Sequence, residues 1–90
     1  MTKYRIVGVE SKRSKVNKWH NLVTGKLCTL ESPLECGEMA WLLIEGIACF
    51  DYGDMLTRFH TSLVLRTEEK DGILIIDTEN SVYTLEMVNE

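Results

Sequence analysis

Residues 32–50, SPLECGEMAWLLIEGIACF, decide how the rest of the chain is read. Ser32-Pro33-Leu34-Glu35 sets a helix N-cap residue, proline at the first helical position and glutamate three residues after the cap. A serine oxygen there accepts an orphan backbone N–H, and the glutamate sits at the positive end of the helix dipole. The spacing therefore predicts one helix over 32–50, ended by Asp51-Tyr52-Gly53. At 100° per residue, Cys36, Met39, Ala40, Leu43, Ile44, Ile47 and Phe50 share one broad side. Glu35, Glu38 and Glu45 share the other, with Leu42 and Cys49 among them and Trp41 at the edge of the acidic strip. So wide an apolar arc exceeds the need of one sheet face, and it calls for a covering loop or a second subunit. Gly46 inside such a helix costs about 1 kcal/mol relative to alanine.

The flanking sequence reads as strands. Tyr4–Glu10 is loosely alternating and β-branched, Val16–Val23 is a second strand, Thr24-Gly25 a short hairpin connection and Lys26–Leu30 the return strand. After the helix, Leu56–Thr67 alternates Phe59, Leu63 and Leu65 against Arg58, His60 and Arg66. Glu68–Gly72 is a hairpin loop, and Ile73–Thr78, nearly all apolar, is a central strand. Glu79-Asn80-Ser81 is a turn, and Val82–Val88 points Tyr83, Leu85 and Met87 inward. The expected order is βββ-α-βββ. It implies an α+β fold, with an antiparallel curled sheet or small, partly open barrel packed on one helix. The 90 residues form a single domain, made of a basic β-hairpin region (1–31), the helix (32–50) and C-terminal antiparallel strands (55–88).

Charge is divided along the chain. Residues 1–26 hold seven of the ten Lys/Arg and one acid, so they carry +6. Residues 27–90 carry −10, against −4 for the whole chain. Such a division makes charged surfaces matter to any partner. The opening Met1-Thr2-Lys3-Tyr4-Arg5 lacks a secretory apolar stretch, and the longest apolar run, Met39–Ile44, is far below the ~20 residues that span a bilayer. Cys28, Cys36 and Cys49 have no paired spacing and read as reduced core thiols of a cytoplasmic protein.

The C-terminal third carries a recognisable pattern: Thr61-Ser62-Leu63-Val64, then Gly72, then Thr78-Glu79-Asn80-Ser81-Val82-Tyr83-Thr84-Leu85. It resembles the ending of short, uncharacterised proteins of bacteria and their phages, over about 25 residues. The resemblance implies a small accessory protein encoded by a phage or mobile element, with no activity to carry over. Physically, Asn80-Ser81 makes a turn, and Tyr83 and Leu85 pack beneath the sheet.

Enzymatic chemistry finds no support in the residues. No nucleophile stands beside a base, no glycines cradle a phosphate, and Cys28, Cys36, Cys49, His20 and His60 show none of the close pairs of a zinc site. No cofactor or metal is expected. The leading expectation is a non-enzymatic binding protein that contacts a protein partner through Trp41, Glu38 and Glu45 on the helix, with Trp19 and Lys18 on the hairpin. Homo-oligomerisation through the same faces fits the divided charge, and no membrane partner is expected. A nucleic acid or nucleotide is the alternative, held by Lys12, Arg13, Lys15, Lys18 and Trp19 with affinity that falls steeply with salt. A third reading sets Arg58, His60 and Arg66 around a small anionic ligand at a subunit interface.

Overall fold

A computed structural model describes residues 2–12, 18–46 and 57–88. The elements are β1 (Lys3–Ser11), α1 (Lys18–Val23), β2 (Leu27–Leu30), β3 (Met39–Ile44), β4 (Thr57–Lys70), β5 (Ile73–Thr78) and β6 (Ser81–Met87). The six strands pair antiparallel in chain order, and β6 returns to β1, so the sheet closes into a barrel. The expected α+β fold with a helix over 32–50 is thereby corrected: nothing between 32 and 46 is helical, and residues 39–44 are a barrel strand.

Two glycines explain the correction. Gly37 (φ 86°) and Gly46 (φ 80°) both take the left-handed conformation, which glycine adopts without steric penalty. They bracket an eight-residue stretch too short and too apolar on both sides for a stable helix. A short apolar run of this kind suits a strand as well as a buried helix. In β3 the burial alternates, with Ala40, Leu42 and Ile44 buried and Met39, Trp41 and Leu43 outward. The Ser32-Pro33-Leu34-Glu35 cap signal starts only a turn: Glu38 N–H donates to Glu35 O at 3.2 Å. Gly37 N–H then donates to Val64 O (2.8 Å), and Val64 N–H to Glu38 O (2.9 Å), which ties this loop to β4. The second half of the expected helix, 47–50, lies outside the described residues.

The N-terminal strands are corrected in the same way. Residues 18–23, expected in a strand, form the six-residue α1, whose Val23 is fully buried. Thr24-Gly25 follows it with Gly25 at φ 86°, so the glycine read as a hairpin signal is the stop at a helix C-terminus. Gly25 N–H donates to Ile6 O (2.6 Å), and Ile6 N–H to Lys26 O (2.9 Å), which seats this connection on β1.

Inward side chains from all six strands fill the barrel: Tyr4, Ile6, Cys28, Ala40, Leu42, Ile44, Val64, Leu74, Ile76, Tyr83 and Leu85. The expectation for Ile73–Thr78 holds, since β5 pairs with both β4 and β6. Three register shifts accompany the closure, between Ile6 and Gly8, between Met39 and Trp41, and between Val64 and Arg66. Bulges bend and twist a strand, which a small barrel requires. They also defeat simple alternation. Thr61 and Val64 take the inward places on β4, while Leu63 and Leu65 turn outward. Met87, expected inward, is 36% exposed at the strand end.

The two charge blocks interleave in space. Closure sets β1 beside β6, so Arg5 lies opposite Glu86. Lys3 pairs with Glu45 (3.4 Å). Lys12 bonds Asp77 and donates to Thr78 O (2.6 Å), and Arg66 Nε donates to the same Asp77 (3.2 Å). The Lys12 ammonium, followed by Arg66, holds the Asp77 carboxyl below its ordinary value of 3.8. A carboxylate depressed by folding stabilises the fold above its ordinary pKa, and loses that contribution as pH falls through the lowered one. Urea unfolding of the wild type and Asp77→Asn is therefore expected to differ at neutral pH and to converge in acid below that value.

Cys28 is fully buried, whereas Cys36 is exposed and so is not the core thiol expected of it; Cys49 lies outside the described residues. Burial, helped by the nearby Glu45 charge, pushes the Cys28 thiol up to about 12. Since the thiolate is the nucleophile, iodoacetamide at neutral pH is expected to alkylate Cys36 and spare Cys28 in the native protein. Peptide mass mapping checks this, and equal labelling would contradict the barrel interior. No helix among the described residues is long and apolar enough to cross a membrane.

Candidate functional site

The outward face of β3 and β4 gathers residues that the sequence placed in separate hypotheses. Trp41 lies directly opposite His60, and Leu43 opposite Arg58. The Trp41 and His60 ring centroids are 4.9 Å apart at 49°. The Arg58 guanidinium carbon lies 4.1 Å from the Trp41 ring centroid. Trp41 is thus in contact with an arginine and an imidazole, both from β4. A cation over a partly exposed indole contributes about 0.5–1 kcal/mol. Arg58 Nε also donates to Glu31 Oε2 at 2.7 Å. With both partners substantially solvated, that ion pair contributes at most about 1 kcal/mol. Its value lies in orientation, because it holds the guanidinium over the ring before any partner arrives. His60 Nδ1 lies 3.2 Å from Thr61 O.

Apolar surface continues this face. Met39 and Leu63 are cross-strand neighbours, and each is 42% exposed. Both also line a cavity of about 610 Å³. Arg58 through Leu63 form one wall of it, and Glu79, Asn80, Ser81 and Tyr83 form the other. Phe59 and Tyr83 meet edge-on at its inner side, 6.1 Å between centroids. Burial raises the Tyr83 pKa, and a hydrogen bond with Ser81 offsets part of that rise.

The second wall is tied down by hydrogen bonds. Thr78 Oγ1 donates to Ser81 O (2.7 Å) and accepts from Ser81 N–H (3.1 Å). Glu79 N–H donates to Leu63 O, Asn80 N–H to Ser62 Oγ, and Asn80 O accepts from Lys12 N–H. The two stretches that carried the family resemblance, 61–64 and 78–85, therefore meet across this cavity.

The other expected site residues disperse. Glu38 is exposed in the loop before β3, and Glu45 follows β3 in its pair with Lys3. Neither forms an acidic strip with Trp41, because the helix that aligned them is absent. Lys18 and Trp19 start α1, but their side chains, like Arg13 and Lys15 altogether, lie outside the described residues. Lys12 and Arg66 are engaged by Asp77, and Arg66 is not among the residues lining the cavity beside Arg58 and His60. Sequence reasoning missed Met39, Leu63, Asn80 and Tyr83 as site residues; the quoted resemblance around Leu63 and Asn80 was the available signal. Among the described residues no group of three or more His, Cys, Asp or Glu is placed to hold a metal ion. No protein-family model, curated protein or solved structure matches the chain at a significant level.

Proposed function

We propose that this chain is a small non-enzymatic binding protein that engages a protein partner through the outer face of β3 and β4. One observation carries the reading. Met39 and Leu63, paired across the two strands and both exposed, share the outward face with a tryptophan that Arg58 and His60 contact. Trp and Arg are over-represented among residues that dominate binding energy, and pre-ordered side chains lose less entropy on association. In this reading the protein is a cytoplasmic accessory factor of phage or mobile-element type, as the resemblance of residues 61–85 suggests. Nucleic-acid binding gains less support, because Lys12 already pairs with Asp77.

A photo-crosslinking residue at position 63 tests the proposal, with position 68, exposed farther along β4, as control. The expected result is a discrete adduct from position 63 that disappears with Trp41→Ala. Equal adducts from both positions would sink the assignment of this face.

A further inference from the structure

The hydrogen-bond direction along β4 indicates how a partner is held. Glu31 N–H donates to Trp41 O and Glu45 N–H to Leu27 O, so the odd-numbered residues of β3 face β2. Peptide groups alternate direction along a strand, and in an antiparallel pair hydrogen-bonded and non-bonded pairs alternate. Leu42 and Phe59 are therefore the bonded pair, and Trp41 and His60 a non-bonded pair. It follows that the backbone N–H and C=O of Arg58 and His60 point away from β3. The ladder to β5 begins only at Val64. Among the described residues, no strand pairs with β4 at Arg58 or His60 on that side. Among the described residues the barrel thus keeps one short open edge, where the long β4 leaves one neighbour before it meets the other.

The cavity runs along this edge. Its wall includes six consecutive β4 residues, Arg58 to Leu63, whose side chains point to both faces of the sheet. A groove beside the strand edge accounts for such a lining. We infer that the groove accepts a single extended segment of a protein partner, which adds to β4 as a strand at Arg58 and His60; this rests on the β3–β4 face being the binding face. Unpaired strand edges recruit extended peptides through main-chain hydrogen bonds, with alternate side chains giving specificity. The occupant is a short segment because the Glu79–Ser81 turn ends the open stretch at Ser62. It is fixed there by Glu79 N–H on Leu63 O and Asn80 N–H on Ser62 Oγ. One set of alternate side chains enters the cavity that Phe59 and Tyr83 help to line, and is apolar. The other set faces Arg58 and His60 and includes an acid, drawn by guanidinium nitrogens that Glu31 leaves free.

Random short peptides displayed on phage, panned against the full chain, supply the probe. The best binder is synthesised and measured by fluorescence anisotropy against the wild type, His60→Pro and Trp41→Ala. Proline at 60 removes an N–H that no barrel strand uses, and edge positions of this kind tolerate proline. Its thermal unfolding is expected to stay close to that of the wild type, and its peptide affinity to fall about tenfold or more. N-methylation along the peptide is expected to abolish binding at every second residue only. Binding that survives both His60→Pro and N-methylation overturns strand addition; if Trp41→Ala still abolishes it, the β3–β4 face stands and only the mode fails. Absence of any enriched peptide overturns strand addition as well, while crosslinking at position 63 tests the face separately. A dimer of the free protein that His60→Pro dissociates would assign the edge to a second copy and overturn the lone segment.

Discussion

Leu42→Ala is expected to cost about 2–5 kcal/mol of unfolding free energy, while Leu43→Ala costs less than about 1 kcal/mol. Leu42 is fully buried in the barrel core, and its neighbour Leu43 is partly exposed on the outer face. Truncation in a closed interior removes burial and leaves a cavity that the surrounding strands cannot collapse into. The same truncation on the outer face gives up only partial burial. A helix over 32–50 reverses the order, because it places Leu43 in the core and Leu42 among the glutamates. Domains of this size have only about 5–15 kcal/mol of total stability, so the Leu42 variant stands near the threshold of folding. Paired urea titrations decide the matter. Equal losses, or the larger loss at Leu43, would contradict the strand.

Trp41→Ala has the second large effect, on binding rather than folding. Arg58 and His60 both contact the ring. Its removal deletes both contacts and the large apolar surface on this face. Capture of the partner crosslinked from position 63 is expected to weaken about 30-fold or more, the level of a dominant interface residue at about 2 kcal/mol. Trp41→Phe, which keeps a flat ring beneath Arg58, is expected to recover part of that loss. Leu22→Ala serves as control, since Leu22 is 46% exposed on α1, away from the two strands. An equal loss from the Leu22 variant, or none from Trp41→Ala, would remove Trp41 from the interface.

Several parts of this arrangement were legible in the sequence. The apolar run at Ile73–Thr78 and the Asn80-Ser81 turn announce strand, turn and strand, and Arg58 and His60 share the polar side of theirs. The helix was misread for a physical reason. Ser32-Pro33-Leu34-Glu35 satisfies the local preferences of a helix start, but Gly37 and Gly46 fix left-handed turns on either side of Met39–Ile44. Two glycines in one expected helix were the contrary signal. Barrel closure then outweighs a local cap that acts within one turn. The site itself depends on register. Trp41 meets His60 only because β3 and β4 pair with one particular offset, set partly by a bulge. Neither alternation nor composition encodes that offset. The charge division also changes meaning once β1 closes onto β6, since Lys12 of the basic segment finds Asp77 of the acidic one.

The open edge of β4 is the centre of this account, and amide hydrogen exchange at Arg58, Phe59 and His60, followed by NMR in the free protein, tests it most directly. Exchange reports which amides are hydrogen-bonded within the fold. Slow exchange is expected at Phe59, whose N–H faces β3, between fast exchange at Arg58 and His60. Equal protection at all three residues would mean that the edge is already covered, and equal exposure would mean that β3 and β4 do not pair; either would contradict it.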